Sequence, residues 1–182
     1  MITVNQTYKD LIALIKQALQ SQNLNWQVIQ SYQQTMGNIK PPYVMLHRLT
    51  TTNYGFQFCK DKDVANAPTH TENQIEIQHY QIEATNIRSV NDKATTITGA
   101  DVVRIIASWF MSDIGIQEVL NKGYEVLRVT EVVEEFYKDV TEKYQVNPNF
   151  MLDLKVKQEY TSPTNKISGF IGNIKEVEQL KY

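Results

Sequence analysis

Hydrophobic residues recur along this chain with two different periods, and the switches between them mark its elements. In QTYKDLIALIKQALQSQN, Tyr8, Leu11, Ile12, Ile15, Ala18 and Leu19 fall three and four positions apart, the spacing of one helical face. Thr7 followed by Asp10 has the form of a helix-starting cap. Val102, Val103, Ile106, Trp109 and Phe110 predict a second helix, with the same cap pattern in Thr98 and Asp101. Ser112 would cap a short third helix, and Gly123 would stop it in the left-handed conformation.

Elsewhere the period is two. From Asn147 to Ser162, Phe150, Leu152, Leu154 and Val156 alternate with Asp153, Lys155, Lys157 and Glu159, which predicts a strand with one side in the core. A turn at Asn147-Pro148-Asn149 would lead into it. Its simplest antiparallel partner is the β-branched run Tyr124 to Val133, joined to it by an acidic connection from Glu134 to Gln145. Tyr43 to Phe58 is rich in strand formers, and TNYG within it would fold the run into a hairpin or bend it. From Gln74 to Asn86, Ile75 and Ile77 give way to Tyr80, Ile82 and Ala84, a phase change that suggests a β-bulge near Gln78 and His79. Cys59 to Asn73 reads as a long loop, expected to be mobile until a neighbour orders it. A short strand and a surface excursion would fill the stretch before Pro41-Pro42. The expected fold is α+β: one domain over residues 1–162, a mostly antiparallel β-sheet packed against two to three α-helices, with 163–182 as a C-terminal extension.

Composition narrows the function. A chain of 182 residues can bury a sizeable core, and 42% hydrophobic against 21% charged residues suits a folded domain. A net charge of −2 with no basic cluster removes the basis for strong or sequence-specific nucleic-acid binding. The start of the sequence lacks a basic segment followed by an apolar one, and DVVRIIASWFM is interrupted by Arg104, so neither a signal peptide nor a membrane partner is expected. Cys59 is the single cysteine, which excludes an intrachain disulfide and a cluster of thiolates around zinc.

Candidate chemistry is sparse. His47 and His79 lie in predicted strands and could approach across a sheet, but the acids around them repeat no metal-ligand spacing, and His70 falls in the expected loop. Cys59 has Lys60 and Lys62 nearby but no base in the sequence around it, so it reads as a packed or edge-strand thiol. The nucleophile elbow and the glycine-rich phosphate loops are absent. Glu131, Glu134, Glu135, Asp139 and Glu142 read as a solvated or subunit-facing acidic stretch, and the aromatic pairs Trp109-Phe110 and Phe136-Tyr137 as core. The expectation is a protein that is not an enzyme, with no catalytic residue, no cofactor and no metal.

The order of elements carries a resemblance. An N-terminal helix, a polar excursion closed by PPYVMLHRL, the strand IEIQHYQIEATNI, a helix after TGADVVRIIASWF, a short helix ending NKGYEVLRV and the strand NPNFMLDLKVKQEY together resemble the tail-terminator and neck proteins of tailed bacteriophages. The likeness runs from about Tyr8 to Tyr160, and the stretches Cys59 to Asn73, Glu134 to Gln145 and beyond Pro163 depart from it. It implies a structural virion protein, made in the host cytoplasm, that forms a ring of six subunits at the head-proximal end of the tail. Its partners would be further copies of itself, the tail-tube protein and a neck or head-completion protein, with DNA passing through the ring. Candidate contacts between subunits are then Asp153, Lys155, Lys157 and Glu159 on the outward side of the strand, and Ile167, Phe170, Ile171 and Ile174 in the tail. Another head-tail connector, a non-phage adaptor with a binding groove and a small metal-dependent or hydrolytic enzyme are the rival classes.

Overall fold

The structure is a computed structural model and describes residues 3–31, 42–64, 67–85, 97–138 and 144–163. The expected contacts Ile167, Phe170, Ile171 and Ile174 lie outside the described residues. In chain order the elements are α1 (Val4–Gln20), β1 (Gln27–Gln30), β2 (Tyr43–Val64), β3 (Ala67–Thr85), α2 (Gly99–Met111), α3 (Asp113–Asn121), β4 (Tyr124–Val129), β5 (Val133–Lys138) and β6 (Tyr144–Pro163). The strands form one sheet in the order β1-β2-β3-β6-β4, with β5 also paired to β6. β1 runs parallel to β2, and every other described pairing is antiparallel. This is the α+β architecture that the periodicities predict.

The helices start where capping chemistry allows. Thr98 and Asp101 form a reciprocal capping box at α2, and Ser112 caps α3 by accepting from the Gly115 N–H at 3.1 Å. Gly123 follows α3 with φ 86°, as its position in the sequence suggests. At α1 the cap is Thr3, whose hydroxyl accepts from the Gln6 N–H at 3.2 Å, and not the Thr7-Asp10 pair. The reason is burial: Thr7 and Asp10 lie on the inward side of the helix, and the Thr7 hydroxyl donates back to the Thr3 carbonyl at 3.2 Å.

The core lies between these helices and one face of the sheet. Leu11, Leu14, Ile15, Ala18 and Leu19 of α1 and Val102, Val103, Ile106 and Phe110 of α2 meet Val44 and Leu46 of β2, Tyr80, Ile82 and Ala84 of β3, and Phe150, Leu152, Leu154 and Val156 of β6. Trp109 and Phe110 join this core edge to face, with ring centroids 5.3 Å apart. Each large apolar side chain so buried contributes about 1.5–3 kcal/mol relative to exposure. The inward row of β6 is the one its alternation predicts, and β4 pairs with it as expected, Tyr124 opposite Val156 and Val126 opposite Leu154.

Several expectations are corrected or narrowed by the register. Cys59 to Asn73 is not a loop: residues 58–64 of β2 pair with residues 67–73 of β3, so the element expected to be mobile is a hairpin within the sheet. TNYG does not fold β2 into a hairpin, so of its two expected outcomes only the bend is left. It marks an irregularity between Tyr54 and Phe58, where Gly55 has φ +76°. The β-bulge sits on β2 between Arg48 and Thr50, not at Gln78 and His79 of β3. Ile75 and Ile77 belong to the outer face all along, and the backbone N–H of Arg48 at the bulge donates to the Tyr8 hydroxyl at 3.1 Å. Asn147-Pro148-Asn149 is part of β6 rather than a turn, and most of the acidic connection is strand, with Glu134, Glu135 and Phe136 of β5 opposite Pro148, Asn147 and Val146. Pro148 fits because the pairing with β3 ends at Asn149 among the described residues, so its missing donor breaks no described bond to β3.

The expected strand Tyr124 to Val133 therefore ends at Val129, and a second strand starts at Val133. At the break, Thr130 substitutes for the ladder: its N–H donates to the Met151 carbonyl at 2.9 Å, and its hydroxyl accepts from the Met151 N–H at 2.8 Å.

Candidate assembly surface

Two regions of the sheet are left over after the core is built. The first is the face turned away from the helices. Cross-strand neighbours share a face, so the register places Asp153, Lys155, Lys157 and Glu159 of β6 there, beside His79, Ile77, Ile75 and Asn73 of β3. The four charged residues are thus brought into one row, as alternation implies. They are not free charges, however. Asp153 lies under His79, with Oδ1 2.7 Å from Nδ1, and the other imidazole nitrogen is 3.0 Å from the Thr52 hydroxyl. Lys155 donates to Glu125 of β4 at 2.8 Å, and the Lys157 ammonium lies 3.7 Å from Glu159. His47 pairs with Glu83 at 3.3 Å on the same face. His47 and His79 therefore each meet a carboxylate of their own rather than one another. Sequence alternation finds the row but not these partners, because register decides who stands opposite whom.

The second region is an arm. Past Gln78 on β3 and Val156 on β6, no described residue of the three long strands belongs to the hydrophobic core, yet β2, β3 and β6 stay paired to Val64, Ala67 and Pro163. From Ala67 to Ile77 this extends about 35 Å at the rise of an antiparallel strand. The change of character is visible on the helix side, where apolar packing gives way to a chain of amides. The Tyr80 hydroxyl donates to Gln78 at 2.8 Å, and Gln78 and Gln158 both donate to Glu76, at 3.4 and 3.3 Å. Among the described residues, no further strand borders β2 along 49–59 or β6 along 159–162 on the sides away from β3. Such edges are templates for strand addition.

On the helix side of this arm the hairpin brings together three residues that a loop would have kept apart. Cys59 stands directly across from Glu72, and His70 is two positions along on the same face. The Cys59 Sγ, an imidazole nitrogen of His70 and a Glu72 carboxylate oxygen all lie within 4.8 Å of one another. Cys59 is exposed, while His70 and Glu72 are half-buried and 3.3 Å apart. A usable signal was present in the alternating signs of Lys60, Asp61, Lys62 and Asp63, which give a strand one sign on each face.

Inside the molecule, Asp10 accepts from the Tyr124 hydroxyl at 2.9 Å and from Gln6 at 3.1 Å, with the Lys122 ammonium 3.8 Å away. Burial pushes the Tyr124 phenol up to about 12 and drives that of Tyr80 higher still. The Asp10–Tyr124 bond ties α1 to β4. A shallow hollow between the end of α1 and α2, lined by Ser21, Gln22, Arg104, Ile105, Ser108 and Trp109, holds no cluster of reactive groups. No helix among the described residues is long and apolar enough to cross a membrane.

The family model described as the E217 gateway protein gp29 matches residues 6–166. The chain belongs to that family. The gateway family is a phage head-tail connector family, so the phage neck layout read from the order of elements holds at that level, and the protein is a phage structural component of the virion. No curated protein matches the chain. The match to the gateway model begins within the first turn of α1 and runs past the last residue of β6, and so includes the whole arm.

Proposed function

We propose that the protein is a ring-forming member of the gateway family, six subunits at the head-proximal end of a phage tail, that ends growth of the tail tube and joins the tail to the neck. It acts by contact and not by catalysis, and needs no organic cofactor. Its partners are neighbouring copies, the tail-tube protein and a neck protein. The observation that carries the reading is the match to the gateway model over residues 6–166. The geometry supports it in two ways. A closed ring needs two different patches on each subunit that fit one another, and the sheet offers a charged outer row at Asp153, Lys155, Lys157 and Glu159 and separate open edges along β2 and β6. The outer charges are also largely paired within the subunit, which suits a lumen through which DNA moves without being held.

Removing the gene from its phage tests this directly. The expected products are heads without joined tails, and tails of uncontrolled length. Tails of normal, uniform length that fail to join heads would move the protein to another head-tail connector role. Normal tails attached to heads would defeat the reading.

A further inference from the structure

We propose that Cys59, His70 and Glu72 bind a zinc ion on the helix side of the arm. The three supply a thiolate, an imidazole and a carboxylate, the donor types of zinc sites with three protein ligands and one position for water. A thiolate together with an imidazole selects zinc over magnesium or calcium, which take oxygen donors.

Register builds the site. Cys59 is held across from Glu72 by the β2–β3 ladder, and His70 shares the face of Glu72 because side chains two apart on a strand point the same way. The donor atoms already lie within 4.8 Å of one another. Around zinc, with bonds of about 2.0–2.3 Å, tetrahedral donors stand roughly 3.3–3.7 Å apart, so closure requires about an ångström of side-chain adjustment and no movement of the backbone. The existing approach of His70 to Glu72, 3.3 Å, is already inside that range.

The surroundings favour binding. The ligands are exposed or half-buried, so the ion arrives from solvent, and the thiol proton leaves to solvent as the sulfur becomes a ligand. The site spans two strands at a level where, among the described residues, the hydrophobic core has ended, so the ion would clip β2 to β3 beyond the core. Because the unfolded chain does not hold these residues together, zinc bound to the arm stabilises it by mass action. His47 with Glu83 and His79 with Asp153 lie elsewhere on the opposite face and serve as controls.

The test uses the full chain, loaded with zinc, dialysed at neutral pH and assayed for bound metal by atomic emission. The expected result is one zinc per chain. Cys59→Ser, His70→Gln and Glu72→Gln should each weaken binding by more than the roughly 10–100-fold typical of losing an outer-shell partner, while His47→Gln binds as the parent does. Cobalt in place of zinc should give a thiolate-to-metal charge-transfer band that Cys59→Ser abolishes. Should a variant fold poorly, alkylation of the unmodified protein decides: zinc should slow the reaction of Cys59. Absence of retained zinc, equal retention in the three variants, or an alkylation rate indifferent to zinc would each overturn the proposal.

Discussion

Gly115 occupies a place that no other residue can fill. A Cβ there would lie 1.9 Å from the Trp109 carbonyl oxygen and 2.8 Å from its carbonyl carbon, backbone atoms that cannot swing aside as a side chain could. Gly115→Ala must therefore push α3 off the end of α2, at an expected cost of about 2–3 kcal/mol, read as a lower urea midpoint; unchanged stability would refute the close approach. Tyr124 offers a second check. Its folded-state pKa is raised to about 12 by burial, and the unfolded chain titrates near the ordinary tyrosine value of about 10. The folded state thus keeps a proton that the unfolded state gives up. The stability contributed is complete below pH 10 and falls as pH rises towards 12, by at most about 1.4 kcal/mol per unit. Tyr124→Phe, followed by urea unfolding across that window, should lose stability less steeply with pH than the parent. Equal slopes would show that Tyr124 is not the group responsible. Neither residue was legible as special in the sequence, where Gly115 is one glycine in a short helix and Tyr124 an unremarked strand aromatic; tertiary contact alone gives them their roles.

At the level of elements, legibility follows the core. The helix faces, the caps Thr98 and Ser112 and the inward row of β6 were all readable, since each is a local pattern answering to one buried surface. The Thr7-Asp10 cap was misread because a buried threonine and aspartate copy the spacing of an exposed capping pair. The arm was misread for the opposite reason. Residues 59–64 and 67–73 carry few apolar residues, so the apolar alternation that betrays a half-buried strand is missing there, and the pairing of residues 58–64 with 67–73 depends on neighbours far along the chain. The same contrast predicts an uneven stability. Amides of β3 beside the core, at Tyr80, Ile82 and Ala84, should exchange with solvent only on global unfolding. Those of Thr69 and Thr71 in the arm should exchange on the order of 100-fold faster, through local opening. Native-state hydrogen exchange measures both at once, and equal protection along β3 would mean that the arm is held as firmly as the core.

For the whole molecule, the order of elements carried more information than any motif. It pointed to phage neck proteins and was met by the match to the gateway family over residues 6–166. Which connector the protein is was not legible, because an interface is specified by the register and pairing of ordinary residues such as Asp153 and Lys155, and these stand in the sequence as any surface charges would. Cys59, His70 and Glu72 are hidden likewise, scattered through a stretch whose composition reads as a loop. One consequence of the long strands remains. β2, β3 and β6 run from beneath the helices into the arm, with shifts of register but no chain break in β2. A pull on the far end along the strand direction would strain their cross-strand bonds together, in shear, instead of parting them one after another as a sideways peel does. Mechanically the arm is a tether anchored in the core, stiff to tension along its length and weak to being unzipped from its tip.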